Sequence, residues 1–207
     1  MSNRSAIIIL DRSGSMSSQI SDVVGGMEQF FVSQRESNPD LRVSLYTFNH
    51  TTQTIYLDRP ISECTFTSKD FEPYGSTALL DAIGETINRY NRKRGEKVLV
   101  VILTDGHENS SQWWTKNRVR ELINEKNPKN WQFLFLGVNL DSFDDAARIG
   151  ISHTTTRGYG TFTAAAGAVG QSVSVQDWYM NSTANSIDLE TGDKVLTEDT
   201  TSASVTP

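Results

Sequence analysis

Apolar and polar positions along this chain alternate between short β-branched runs and stretches where apolar residues recur every three or four positions. The run Ile7-Ile8-Ile9-Leu10 breaks into the polar turn Asp11-Arg12-Ser13-Gly14-Ser15-Met16, which predicts a buried strand that delivers a turn at its C-terminal tip. Ile20, Val23, Val24, Met27, Phe30 and Phe31 then fall at helical spacing. They predict an amphipathic helix beginning near Ser17 or Ser18, with either serine as its cap. Residues 41–48 alternate with period two, and Asn49-His50-Thr51-Thr52 turns the chain into Thr54-Ile55-Tyr56-Leu57. That pattern is a β-hairpin, so one strand should run antiparallel to its neighbour.

Residues 59–76 read as irregular until Tyr74-Gly75-Ser76-Thr77 opens a second helix, whose core face carries Leu79, Leu80, Ile83, Ile87 and Tyr90. The plainest strand is Lys97-Val98-Leu99-Val100-Val101-Ile102-Leu103, ending in Thr104-Asp105-Gly106. An apolar run that continuous predicts burial on both faces, as in a mostly parallel sheet covered by helices. A helix over 113–126, with Val119, Leu122 and Ile123 on one face, precedes a strand over 131–138. A short helical segment over 144–149, an edge strand over 151–156 and a last helix over 161–181 complete the pattern. The expected fold is α/β and Rossmann-like: a doubly wound, mostly parallel central sheet with one antiparallel edge strand and helices on both faces.

From Ser182 onward Ser, Thr, Asp and Glu dominate, and Asp188, Glu190, Asp193, Glu198 and Asp199 face only Lys194 in charge. Such a segment buries too little surface to offset its ordering entropy. Residues 1–181 are therefore expected to form the domain, and 182–207 an acidic, Ser/Thr-rich flexible tail.

Composition narrows the function. The 207 residues carry a net charge of −6 and a pI near 5.1, which gives no electrostatic case for nucleic acid or an anionic membrane. Cys64 is the only cysteine, so an internal disulfide and a cysteine-based metal site are both excluded. The apolar stretch before Asp11 is too short for a signal-peptide core, and the run 98–103 falls far below the roughly 20 residues a membrane span needs. A cytoplasmic location is the expectation.

The chemistry lies at the strand tips. In Asp11-x-Ser13-x-Ser15 alternate residues project to one side and gather a carboxylate and two hydroxyls. These are hard oxygen donors, suited to magnesium, manganese or calcium rather than zinc or copper. Alone, Ser-Gly-Ser after a strand reads equally well as a turn ending in a helix cap. The reading changes because Thr77 opens a helix and Asp105 ends the most buried strand, and in a doubly wound sheet strand C-termini share one edge. Two carboxylates and three hydroxyls would then converge.

Over roughly residues 5–180 the chain resembles the von Willebrand factor type A (VWA) family, which includes integrin inserted domains. The family's metal-ion-dependent adhesion site matches at Asp11-x-Ser13-x-Ser15, at Thr77 within Gly75-Ser76-Thr77-Ala78-Leu79, and at Asp105 within Leu103-Thr104-Asp105-Gly106. The resemblance implies that Ser13, Ser15 and Thr77 bind a divalent cation, Mg2+ or else Mn2+ or Ca2+, directly. It implies that Asp11 and Asp105 act largely through water. The expected function is a metal-dependent protein-binding module, not an enzyme, in which the cation captures an Asp or Glu of a partner protein.

Alternatives remain at this level. A scaffold or adaptor of a larger assembly, such as an ATPase partner or a phage or stress-response complex, would use the same site. A magnesium-dependent phosphoryl-transfer enzyme would use Asp11 as nucleophile, but haloacid-dehalogenase-like sites carry a second aspartate where this chain has Ser13. No Gly-x-Gly-x-x-Gly follows the first strand, which argues against a dinucleotide. His107 and Glu108 follow Asp105 and read as solvated loop residues. Trp113 and Trp114 read equally as an exposed contact patch and as core. His50 and His153 read as surface residues, and Cys64 as a small, partly buried side chain. Asp188 or Glu190 in the tail offers a further expectation, that a tail carboxylate fills the site of its own or a neighbouring molecule and drives self-association.

Overall fold

The computed structural model describes residues 4–126, 130–137, 156–158, 186–187 and 194–195. The first strand, β1 (Arg4–Asp11), leads through a 3-10 turn (Gly14–Gln19) into α1 (Ile20–Ser37), and β2 (Arg42–Phe48) and β3 (Thr52–Pro60) form the hairpin. Next come α2 (Leu79–Arg89), β4 (Lys97–Thr104), α3 (Lys116–Lys126), β5 (Trp131–Gly137) and β6 (Thr156–Gly158). Two further short strands, β7 (Ser186–Ile187) and β8 (Lys194–Val195), pair with each other antiparallel inside the region read as a tail.

Among the described residues the main sheet has six strands in the order β3-β2-β1-β4-β5-β6. The β1–β2, β1–β4, β4–β5 and β5–β6 pairs are parallel, and only the β2–β3 pair is antiparallel. The doubly wound sheet with one antiparallel edge strand is thus the architecture observed. Strand order reverses between β1 and β4, so the crevice that such sheets offer to ligands opens beyond the C-terminal ends of those two strands. Register fixes its rim, with Leu10 opposite Leu103 and Asp11 opposite Phe48.

The pleat sorts the core into two layers. Ala6, Ile8 and Leu10 of β1 with Leu99, Val101 and Leu103 of β4 pack under α1, whose Val23, Met27, Phe30 and Phe31 interdigitate with them. Ile7 and Ile9 with Val98, Val100 and Ile102 face the other way, against Leu79, Ile83 and Ile87 of α2 and Val119 and Ile123 of α3. Because every side chain of β1 from Ser5 to Asp11 is buried, the strand cannot slip by one residue without exchanging its two faces.

Several local expectations change. The helix after the first turn begins at Ile20, and neither Ser17 nor Ser18 caps it. Ser17 instead donates to the Gly14 carbonyl at 2.7 Å within the 3-10 turn. α3 begins at Lys116 rather than 113, because the residues before it are held by side chains of α2, described below. The stretch 59–76 contains two 3-10 turns (Ile61–Glu63 and Ser68–Asp70) and contributes Ile61, Cys64, Phe66 and Phe71 to the α1-side core, all at most 1% exposed. Cys64 is wholly rather than partly buried. Of the expected edge strand over 151–156 only Thr156 lies among the described residues, as the first residue of β6 (Thr156–Gly158), which pairs parallel with β5. The expected helices over 144–149 and 161–181, His153, and the tail apart from β7 and β8 also lie outside them. Among the described residues no helix is long and apolar enough to cross a membrane.

Candidate metal centre

Three loops meet at the crevice. Leaving β1, Arg12 donates its amide to the Phe48 carbonyl at 2.6 Å and accepts from the Tyr74 amide at 2.9 Å, which ties the first turn to β2 and to the loop before α2. Gly14 N–H donates to the Gly75 carbonyl at 2.9 Å. Gly75 has φ +79°, and a Cβ there would lie 2.7 Å from His50 Nδ1, so both the conformation and the space call for glycine. Ala78 N–H donates to the Asn49 carbonyl at 2.8 Å, which seats the next residue after Thr77 against the β2–β3 turn.

The five residues picked out in the sequence form one cluster. Asp11, Ser13 and Thr77 are at most 3% exposed, while Asp105 is half-buried and Ser15 is exposed. Ser13 and Ser15 hydroxyls lie 3.1 Å apart, and Ser15 Oγ donates to Asp105 Oδ1 at 2.6 Å. Asp11 is spoken for on both oxygens: Ser13 N–H donates to Oδ1 at 2.7 Å and Thr104 Oγ1 donates to Oδ2 at 2.6 Å. Gln19, from the 3-10 turn, donates to Asp105 Oδ2 at 2.7 Å.

Gly106 measures how closely the loops converge. A Cβ on Gly106 would sit 3.1 Å from Thr77 Oγ1, 3.5 Å from Ser15 Oγ and 3.6 Å from Asp11 Oδ2. Oxygens from the tip of β1, the turn after it and the loop before α2 therefore close on a glycine of the third loop, leaving a cradle that one methyl group would fill. Among the described residues no group of three or more His, Cys, Asp and Glu gathers anywhere. The donor set here is two carboxylates and three hydroxyls, and it fits a hard divalent cation.

Electrostatics agree with that fit. Burial pushes the Asp11 carboxyl up to about 6, against the lowering effect of its hydrogen bonds from Thr104 and Ser13, and nearby Asp105 adds to the rise. Burial likewise raises Asp105, opposed by its bonds from Ser15 and Gln19. Two carboxylates held in a poorly solvated crevice are the environment that a cation would relieve.

The loop following Asp105 is more ordered than the sequence suggested. Glu108 is no solvated loop residue: Oε2 accepts the Leu80 amide of α2 at 2.9 Å, and Oε1 accepts the Ser110 and Ser111 amides at 2.9 and 2.7 Å. Asn109 brackets Thr77, its Oδ1 accepting the Thr77 amide at 2.9 Å and its own amide donating to the Thr77 carbonyl at 3.0 Å. In return Asp81 of α2 accepts the amides of Gln112, Trp113 and Trp114 at 2.7–2.9 Å. A cue was present, since Ala78 at the N-cap of α2 has no side chain to cap with, so the helix must find its acceptor elsewhere. The tryptophans divide: Trp113 is 70% exposed, whereas Trp114 packs on α2 so closely that a Cβ at Gly84 would lie 2.0 Å from its ring. His50 is exposed as expected and packs edge-on against Tyr74 at 5.8 Å.

The family model for the von Willebrand factor type A domain matches residues 7–168. The chain belongs to that family. Solved VWA structures share its fold at low sequence identity. The manganese-loaded Plasmodium vivax TRAP protein superposes with a TM-score of 0.59 at 18% identity, over 81% of this chain and 72% of that one. A von Willebrand factor type A protein from Catenulispora acidiphila gives 0.66 at 14%, over 83% and 42%. Proximal thread matrix protein 1 of the mussel byssus, with a zinc-occupied MIDAS motif, gives 0.56 at 16%, over 77% and 42%. This VWA domain thus spans less than half the length of the last two. No curated protein sequence matches the chain.

Proposed function

We propose that this VWA domain is a metal-dependent protein-binding module whose Asp11, Ser13, Ser15, Thr77 and Asp105 hold a divalent cation, Mg2+ or Mn2+ first, with Ca2+ as the remaining hard candidate. The observation that carries the reading is the convergence of Thr77 Oγ1, Ser15 Oγ and Asp11 Oδ2 around the space beside Gly106. Such a cation, bound largely by neutral hydroxyls, would supply an electrophilic face for an Asp or Glu carboxylate of a partner protein. The chain's own residues do the rest. Ser15 and Asp105 lie at the open side of the cluster, and buried Asp11 and Ser13 form its floor. Gln19 and Thr104 orient the two carboxylates by hydrogen bonds at 2.7 and 2.6 Å.

The phosphoryl-transfer alternative is less well supported. A nucleophilic carboxylate must reach a substrate, yet Asp11 is fully buried with both oxygens hydrogen-bonded inside the fold. An adaptor role in a larger assembly uses the same site and differs only in the partner.

The test is calorimetric titration of Mg2+ and Mn2+ into the wild-type chain and Thr77→Ala, together with capture of protein partners in Mg2+ or in EDTA. Saturable one-to-one binding that Thr77→Ala weakens at least tenfold, with capture lost in EDTA, is expected. Equal binding by both proteins, or capture indifferent to EDTA, overturns the proposal.

A further inference from the structure

The loop 105–114 has no regular structure, yet it is tied by many hydrogen bonds to the start of α2 and to the residues just before it. Thr77 belongs to the α2 side of the crevice and Asp105 to the β4 side, so a shared cation requires the two sides to keep a fixed separation. Thr77 lies outside the helix, which begins at Leu79, and in a residue only 3% exposed its amide would otherwise lack a partner. Asn109 supplies that amide with an acceptor and takes the Thr77 carbonyl as acceptor for its own N–H, at 2.9 and 3.0 Å. The two bonds close a ring across the crevice four residues after Asp105.

We infer that Asn109 is a positioning residue for the cation: it fixes the Thr77 backbone, and through it the Thr77 hydroxyl, at the distance from Asp105 that one ion can bridge. The inference rests on the metal reading and goes beyond it by naming a residue that binds no cation yet sets the affinity. Glu108 and Asp81 have a different task. Glu108 reaches Leu80, three residues past Thr77, and Asp81 reaches the 112–114 amides, three to five residues past Asn109. They hold the loop on the helix but do not touch Thr77.

That division of labour makes the inference testable. Asn109→Ala removes the acceptor of the Thr77 amide and leaves the Glu108 and Asp81 bonds in place. Partners that orient ligating groups are worth about ten- to a hundredfold in metal affinity, so Mn2+ affinity should fall by that factor. The electron paramagnetic resonance spectrum of the Mn2+-saturated variant should differ from that of wild type, because the Thr77 hydroxyl is no longer held in the coordination sphere. Asp81→Asn is the control: it loosens the same loop away from Thr77, lowers thermal stability in EDTA, and should change Mn2+ affinity less than threefold with an unaltered spectrum. Asn109→Asp, which keeps an oxygen at the Oδ1 position, should restore the wild-type spectrum. If wild type binds Mn2+ but Asn109→Ala matches it in affinity and spectrum, or if the two loop variants lose affinity in proportion to their loss of stability, the positioning role is refuted and the metal reading stands. If wild type takes up no Mn2+, both fall.

Discussion

Replacing Asp11 by Asn should make the metal-free protein more stable while abolishing its response to metal. Asp11 is fully buried, and its carboxyl is pushed from 3.8 up to about 6, chiefly by burial. At about 1.4 kcal/mol per pH unit, that difference makes the ionised form roughly 3 kcal/mol worse off in the fold than in the unfolded chain. The sign is that of a raised acid: without metal the penalty is complete above pH about 6 and fades as pH falls towards 3.8, so metal-free stability rises on mild acidification. Asn carries no charge and removes this slope. Its Oδ1 can take the Ser13 amide, now 2.7 Å from Asp11 Oδ1. Its Nδ2 can donate to Thr104 Oγ1, whose proton then turns to the Gly106 carbonyl 3.2 Å away. Allowing about 1 kcal/mol for that rearrangement, some 2 kcal/mol of net stabilisation remains, or about 4–8 °C in Tm for a chain of this size. Thermal unfolding of both proteins in EDTA at pH 7.5 and pH 5, then in Mg2+ at pH 7.5, reads all three effects. Wild type should gain on acidification in EDTA and on adding Mg2+, and Asp11→Asn should start higher and gain from neither. An Asp11→Asn protein that melts below wild type in EDTA at pH 7.5 refutes the reasoning.

Three further outcomes test other parts of the structure. Gly106→Val should abolish Mg2+-dependent stabilisation, since its Cβ alone would sit 3.1–3.6 Å from three oxygens of the cluster; a wild-type Mg2+ response in melting curves would show that the space is not where the cation goes. Gly84→Ala should cost about 3 kcal/mol or more, because its methyl would meet the Trp114 ring at 2.0 Å; the loss should shrink in a Gly84→Ala/Trp114→Ala double variant, and additive losses in denaturant melts would contradict that contact. Cys64 is wholly buried, with burial pushing its thiol up to about 11, so iodoacetamide at pH 8 should label it only on unfolding; labelling of the native protein at the rate of a free thiol would disprove its burial.

What the sequence made legible followed from periodicity. The β1 and β4 runs had to be buried on both faces, and the alternation around them left few arrangements other than a doubly wound sheet. The clustering of the candidate site was legible because Asp11, Ser13, Ser15 and Asp105 sit at or just past strand C-termini and Thr77 opens the helix between them, where topology rather than distance along the chain decides what meets. The supporting shell was less visible. Glu108 and Asn109 look like any polar loop, because a side chain that accepts a backbone amide from another element leaves no spacing signature. The segment 59–76 misled for a related reason: Cys64, Phe66 and Phe71 bury themselves from irregular backbone, without the period of either helix or strand. Trp114 could not be told from Trp113 because only the small residue Gly84 on a different helix makes room for it.

The reciprocal bonding between α2 and the 105–114 loop, in which Glu108 serves the helix and Asp81 serves the loop, bears on any attempt to re-engineer recognition. The rim of the crevice is not a set of interchangeable cassettes. A foreign loop grafted between β4 and α3 would arrive without the carboxylate that α2 needs, and would leave Asp81 a charge at 9% exposure with no amides to receive. Retargeting this domain therefore means transplanting the first turn of α2 together with the loop, or confining changes to outward-facing positions such as His107 and Trp113.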